Sequence, residues 1–150
     1  MQTLAQPRTI ACYDEDWVLW IDAQVRLLSE KRFSELDLGN LVEELDGMKT
    51  KELRTLKNRL RVLIMHLLKC EFQKSYPQNK WHATLIEQRE RIRALLQDSP
   101  SLRSRLEEYA GANYAYARKM AALETGLALA TFPAENPYSI KQILDHDFMP

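Results

Sequence analysis

The chain of 150 residues has the length of one domain, and its 45% hydrophobic and 28% charged residues are typical of a globular protein. Its 21 basic and 21 acidic residues balance, which argues against attraction of the whole molecule to nucleic acid or anionic lipid. Unbroken apolar runs such as residues 62–65 are far too short to span a membrane, and the first 20 residues lack the pattern of a secretory signal.

The two cysteines, Cys12 and Cys70, are far apart and form no CxxC pair. Two free thiols favour a reducing compartment over a disulfide scaffold. We therefore predict a cytoplasmic protein that does not bind membranes.

The balanced charge conceals a gradient along the chain. Residues 1–48 hold four Lys and Arg against ten Asp and Glu, residues 49–93 hold twelve against four, and residues 94–150 hold five against seven. The gradient is explained by an acidic helix beside a basic one or, alternatively, by a basic face for an acidic partner.

The first elements are an arm and a helix. Residues 1–12 show little pattern and contain a proline, so a flexible N-terminal arm is predicted, followed by one helical domain over residues 13–150. The first helix should begin with Asp14 as its N-cap and end near Glu30.

The second helix is predicted to begin after Asp37, and its leucines keep one face as far as Phe72. Two alternatives remain, one long helix or two helices divided near Gly47, because a glycine weakens a helix interior by about 1 kcal/mol.

The remaining segments are punctuated by clear stop signals. Pro77 separates the second helix from a third over residues 80–97. Pro100 is predicted to begin a fourth helix, and Gly126 to provide its left-handed end. Ser139 and Gln142 form a capping box for a short helix over residues 140–145.

The predicted fold class is therefore all-α, a bundle of four main helices with a short C-terminal helix.

The stretch "HLLKCEFQKSYPQNKWH" contains residue types that occur in metal and catalytic sites. His66 and Cys70 share a helix face there, and His82 follows across the loop. The spacing matches no zinc pattern, and no turn of the kind that presents a nucleophile surrounds Cys70. The sequence predicts no metal site, no cofactor and no catalytic residue.

Polar residues within the apolar stripes are more informative: Gln24, Glu44, Arg59, Gln88, Arg89 and Asn113. Buried without partners, each would cost about 1–3 kcal/mol. In one interpretation they form a structural layer in which Arg89 pairs with Glu44 or another interior acid. In the other they line a pocket for a polar ligand. The candidate ligand-binding residues are Glu44, His66, Trp81, His82, Gln88 and Arg89.

Several segments resemble, in the same order, a bacterial family of uncharacterised proteins, the domain-of-unknown-function family number twenty-nine. They include "YDEDWVLWIDAQVRLL", "LDLGNLVEEL", "HLLK", "IEQRERI" and "FPAENPYSIKQILDHDFMP". The most distinctive is Trp81 ahead of an ATL sequence, with Gln88 and Arg89 following. The resemblance implies an all-α fold and a bacterial cytoplasmic origin. It implies no established activity, so it assigns no catalytic residues.

The functional prediction is a non-enzymatic interaction or regulatory module with a protein partner. The alternative is a small-ligand or metal-binding protein with a polar pocket inside the bundle. The basic residues of segment 49–93 accompany no helix-turn-helix signature, so nucleic acid is not predicted as a partner. A homodimer is compatible with the sequence, through the segment that carries Tyr109, Tyr114 and Tyr116.

Overall fold

The computed structural model describes residues 12–150, and within that range it contains helices and short 3-10 turns but no strand. The helices are α1 (Trp17–Ser29), α2 (Leu38–Phe72), α3 (Asn79–Asp98), α4 (Leu106–Thr125) and α5 (Ile140–Leu144). The predicted all-α class, with four main helices and a short C-terminal one, is confirmed. No helix in this part of the chain combines the length and apolar character needed to cross a membrane.

Helix α2 is a single helix of 35 residues that continues through Gly47. The split near this glycine, one of two predicted alternatives, therefore does not occur. The cost of one glycine, roughly 1 kcal/mol, is offset by the strong helix formers on both sides of it.

Two compact units divide the chain, with the boundary between Lys49 and Thr50, inside α2. We call residues 12–49 the α1 unit and residues 50–150 the core unit. An arm is predicted for residues 1–12, and residues 1–11 of it lie outside the part of the chain that the structure describes. A single helical domain over residues 13–150 stays a prediction.

In the α1 unit, α1 begins after Asp16, whose carboxylate accepts a hydrogen bond from the Leu19 N–H at 3.0 Å. The predicted cap, Asp14, lies too early because a turn precedes the helix. The Cys12 carbonyl closes that turn by accepting from the N–H groups of Glu15 and Asp16, each at 3.1 Å.

Buried polar side chains connect α1 to the start of α2. The Trp20 indole donates to the Asp37 carboxylate at 3.0 Å, and the Gln24 side-chain oxygen accepts from the Asp37 N–H at 2.9 Å. Hydrogen bonds from Asn40 and then Trp20 hold the pKa of the Asp37 carboxyl below its usual range. Gln24, one of the polar residues singled out in the sequence, is therefore satisfied inside this unit.

The core unit packs the second part of α2 against α3, α4 and the chain that follows α4. Helix α2 contributes seven fully buried side chains: Leu56, Leu60, Leu63, Ile64, Leu67, Leu68 and Cys70. The other two helices contribute Trp81, Leu85, Ile92 and Leu96 from α3, and Ala110, Tyr114, Ala117 and Ala121 from α4. The alanines of α4 allow a close approach, because the distance between helix axes depends on the side chains at the contact.

The predicted helix ends after α3 are confirmed, except that α4 begins later than predicted. Pro100 opens a 3-10 turn, Pro100–Arg105, and α4 begins only at Leu106. The fixed φ of proline suits either kind of helix, so sequence alone did not separate them. Gly126 ends α4 in the left-handed region with φ 74, and the capping box of Ser139 and Gln142 opens α5, both as predicted.

The chain after α4 is irregular but well anchored. Its buried side chains are Phe132, Tyr138 and Ile143. The Arg118 guanidinium on α4 donates to the Phe132 carbonyl at 2.9 Å, and the Tyr114 hydroxyl donates to the Pro133 carbonyl at 2.6 Å. Side chains of α4 thus satisfy backbone acceptors of a segment that has few of its own partners.

Replacing Gly126 with alanine should lower the free energy of unfolding by about 1 kcal/mol, because an L-residue is strained at φ 74. Replacing Gly111 should raise it by roughly 0.5–1 kcal/mol, since this glycine lies in the exposed middle of α4 and a Cβ there would meet nothing within 4 Å. Urea unfolding of both variants measures the changes. Two changes of the same sign would contradict the left-handed end of α4.

Candidate functional sites

Glu44 lies in the α1 unit, where it is half-buried and already has partners. Its carboxylate accepts the Tyr13 hydroxyl at 2.5 Å and the Trp17 indole N–H at 3.0 Å. The hydrogen bond from Tyr13, followed by that from Trp17, lowers the pKa of Glu44, and the same bond raises the pKa of Tyr13 to about 12. The other five candidate residues belong to the core unit.

Arg89 is buried on α3, with only 1% of its surface exposed. Its Nε donates to the Ile143 carbonyl at 2.9 Å, and its Nη2 donates to the carbonyls of Phe148 at 2.8 Å and Gln142 at 3.3 Å. Burial lowers the pKa of this guanidinium. The inward position expected for Arg89 is therefore correct.

The prediction that Arg89 pairs with Glu44 or another interior acid is wrong. Within residues 12–150, the Arg89 guanidinium donates to backbone carbonyls, and no carboxylate is among its hydrogen-bond partners. Helix α5 ends at Leu144, so the Ile143 carbonyl has no helical N–H to accept from, and the Gln142 carbonyl accepts only the Asp145 N–H, at 3.4 Å. These carbonyls also form the negative end of the helix dipole. The carbonyls at the end of α5 therefore accept the hydrogen bonds that were predicted to go to an acidic side chain.

Trp81 forms the corner between α2 and α3. Its ring stacks on Tyr76, with centroids 4.8 Å apart, and the Lys69 ammonium lies 4.7 Å from the Trp81 centroid. Lys69 is itself buried and donates to the Glu124 carboxylate at 2.7 Å. These contacts close the corner, so Trp81 has a structural partner on each side.

The remaining three candidates have different local surroundings. His66 on α2 bonds through Nδ1 to the Val62 carbonyl at 2.8 Å. His82 and Gln88 are half-buried at opposite edges of the buried face of α3, since residues six apart on a helix point in different directions. His82 Nε2 is buried and has no hydrogen-bond partner among the described residues.

Gln88 opens onto a cavity of about 280 Å³ that is also lined by Thr55, Asn58, Arg59 and Val62. The Gln88 side-chain oxygen accepts from the Arg59 guanidinium at 3.3 Å. Arg89 lines a different cavity, described below. Of the five candidate residues in the core unit, Gln88 and Arg89 therefore line two different cavities.

The thiol of Cys70 is buried in the core unit, and burial raises its pKa to about 11. Burial therefore disfavours the thiolate form that a nucleophile or a metal ligand needs. Within residues 12–150, no three His, Cys, Asp or Glu side chains come close enough to hold a metal ion.

The tyrosines considered for a homodimer differ in exposure. Tyr114 is buried, Tyr109 is half-buried, and Tyr116 is exposed beneath the Arg61 guanidinium, which lies 4.8 Å from its ring centroid. The homodimer stays a prediction.

The feature that sequence reasoning missed is an exposed apolar surface on the α1 unit. Fifteen large apolar side chains are exposed in the described chain, and ten of them lie in residues 12–49. The ten are Trp17, Val18, Leu19, Val25, Leu28, Phe33, Leu38, Val42, Leu45 and Met48. The stripes among them, Val18, Val25 and Leu28 on α1 and Leu38, Leu45 and Met48 on α2, are called the α1–α2 apolar surface. The α1 unit holds fewer than a third of the described residues, so this exposure is concentrated there. Exposed apolar patches of this kind mark interaction sites.

The spacing of this surface is that of a coiled-coil seam. On α1, Val18, Val25 and Leu28 continue a stripe with the half-buried Ile21. On α2, the same alternation of three and four residues runs through Leu38, Leu41, Leu45 and Met48. Heptad spacing of apolar residues is a signal for helix–helix packing. It does not distinguish a core stripe from an exposed one, which is why the sequence did not reveal this surface.

Replacing Arg89 with lysine should lower the free energy of unfolding by roughly 2 kcal/mol or more, because one ammonium does not reach three carbonyls and leaves buried acceptors unpaired. The control is Arg91→Lys on the same helix, where an exposed ion pair with Glu87 makes the expected change less than about 0.5 kcal/mol. Urea unfolding compares the two variants. Similar changes in both would show that the Arg89 bonds contribute nothing.

His66 should make stability depend on pH between 7 and 5. Burial lowers its pKa from 6.5, so the unfolded chain binds more protons than the folded chain in this window. The free energy of unfolding should therefore fall as the pH is lowered from 7 to 5, and less steeply in His66→Gln. The carboxyls with lowered pKa values, such as Glu44, contribute stability that is lost mainly below about pH 5, where the unfolded carboxyls take up protons. Parallel curves for the two proteins would contradict this role.

Comparison with known proteins gives one match. A profile of the family described as "Domain of unknown function DUF29" matches residues 12–149, which is almost the whole chain. No curated protein and no solved structure matches the sequence significantly. The match confirms the resemblance seen in the sequence motifs, and the chain belongs to the DUF29 family.

Proposed function

We propose that the protein is a non-enzymatic interaction module whose α1–α2 apolar surface binds an amphipathic helix of a partner protein, with basic residues flanking the apolar stripe of that helix. The observation that carries the proposal is the concentration of exposed apolar side chains in the α1 unit. A surface helix normally turns its apolar stripe inward, and uncovered stripes are surfaces for partners.

A helix is the partner element that fits this surface. Leu38, Leu45 and Met48 are each more than 60% exposed and follow the spacing by which one helix packs its side chains between those of another. Val18, Val25 and Leu28 repeat this spacing on α1. A partner helix bound in this way would present apolar anchors at the same interval.

Charge indicates that the partner is basic. Residues 12–49 carry ten acidic and four basic residues. Among the acids, the exposed Asp22 flanks the stripe of α1 and the half-buried Glu44 flanks that of α2 by helical spacing. A second copy of this surface would place acid against acid, whereas a helix flanked by Lys or Arg would meet opposite charge.

The family resemblance suggests that this interaction takes place in the bacterial cytoplasm. The free thiols of Cys12 and Cys70 are consistent with a reducing compartment.

The test uses a synthetic helical peptide about three heptads long, with leucine at its a and d positions and lysine at its e and g positions. Calorimetric titration should detect binding that weakens as salt is raised. The variant Leu45→Asn should lower the affinity by about tenfold or more, because it removes an apolar anchor from the interface. Leu45 is 64% exposed, so the fold should be retained, as circular dichroism would verify.

Two controls locate the site and define its charge preference. Leu123→Asn changes a 75% exposed leucine on α4 in the core unit and should leave peptide binding unchanged. A peptide with glutamate in place of the lysines should not bind. Equal binding of the two peptides, or equal losses in the two variants, would overturn the proposal. Self-association that Leu45→Asn abolishes would also overturn it, since a second copy would then occupy the surface.

A further inference from the structure

A cavity of about 160 Å³ lies in the core unit beside α3, the 3-10 turn Pro100–Arg105 and the end of α5. Its polar lining consists of Arg89, Arg93, Arg103 and His146, and its apolar lining of Ile92, Leu96 and Leu144. One water needs only ~10–15 Å³ of such space, so the cavity accommodates a molecule of several non-hydrogen atoms. None of these residues belongs to the α1–α2 apolar surface.

Among residues 12–150, no carboxylate pairs directly with Arg89. The guanidinium is 1% exposed, and its strong hydrogen bonds all go to neutral backbone carbonyls. Its remaining nitrogen, Nη1, has only a weak contact of 3.9 Å with the Met149 sulfur. A buried cation with an incompletely used donor is a ready partner for an anion.

The other basic groups leave the cavity with a positive balance. Glu90 accepts from Arg93 at 2.7 Å and lies 3.2 Å from His146. Asp145 is the acidic side chain that acts electrostatically on Arg89. Arg103 is exposed, and no carboxylate of residues 12–150 lies within ion-pair distance of it. Three guanidinium groups thus face two carboxylates, before any charge on His146.

We propose that this cavity binds a small organic carboxylate, with its charged end held by Arg89 and Arg103 and its apolar body against Ile92, Leu96 and Leu144. Planar guanidinium groups match carboxylate geometry and form strong charge-assisted hydrogen bonds with it.

A carboxylate fits this cavity better than inorganic phosphate does. A balance of one positive charge suits a monoanion such as a carboxylate. The three aliphatic side chains of the lining also favour a ligand with an apolar part, since burying that part removes apolar surface from water. Of the six candidate ligand-binding residues named from the sequence, Arg89 is the one that lines this cavity.

Benzoate is the probe, with benzamide as its neutral counterpart and inorganic phosphate as an anion that lacks an apolar body. Two-dimensional amide NMR at constant ionic strength follows each titration of the full chain. Benzoate should shift resonances of α3, the 3-10 turn and α5 in a saturable way, and the other two compounds should not. Equal shifts with benzamide would rule out anion recognition, and tighter binding of phosphate would rule out a carboxylate site.

The variant Arg103→Gln locates the site without disturbing the core, because Arg103 is exposed. It should weaken benzoate binding by about fivefold or more. Arg105→Gln is the matched control, since Arg105 lies in the same turn, pairs with Glu108 at 3.5 Å and does not line the cavity. Unchanged benzoate affinity in Arg103→Gln, or an equal loss in both variants, would overturn the proposal.

Discussion

The guanidinium of Arg89 is the interaction on which the C-terminal part of the core unit depends. Helix α5 has only five residues, too few for a stable isolated helix, and its last carbonyls need donors beyond the single Asp145 N–H that Gln142 accepts. Arg89 supplies those donors from the middle of α3 and also binds the carbonyl of Phe148. The Arg89 side chain therefore caps the C-terminal end of α5 and anchors the chain that follows it. It also places a positive charge at the border of the cavity beside α3.

The two units place their apolar residues differently. The core unit buries continuous stripes of α2 and α3 and satisfies its irregular segment with side chains such as Arg118 and Tyr114. Tyr138 belongs to this scheme too, because its hydroxyl donates to the Glu71 carboxylate, and burial followed by this bond raises the pKa of the tyrosine. The α1 unit buries little beyond Trp20, Ala23 and Leu27 and leaves its other stripes exposed. Folding explains the buried stripes of the core unit, and we propose that partner binding explains the exposed stripes of the α1 unit.

Local rules predicted the helices and some of their ends. The left-handed end at Gly126 follows from the freedom of glycine, and the capping box at Ser139 from the preference of a hydroxyl for the first free N–H groups. Distant partners were not predictable. The burial of Arg89 followed from its position in an apolar stripe, but its acceptors lie more than 50 residues away and are backbone atoms, which side-chain chemistry does not reveal. Glu44 was likewise assigned to a polar layer, whereas an indole and a phenol bind it.

The most direct test of this account is hydrogen exchange at the Arg89 side chain, followed by nitrogen-15 NMR of the arginine Nε–H groups. Arg89→Lys assigns the resonance by its disappearance. If the guanidinium is bonded to the carbonyls of α5 and of the chain beyond it, the Arg89 Nε–H should exchange far more slowly than those of exposed arginines such as Arg91. Exchange as fast as that of Arg91 would contradict the central role of this buried group.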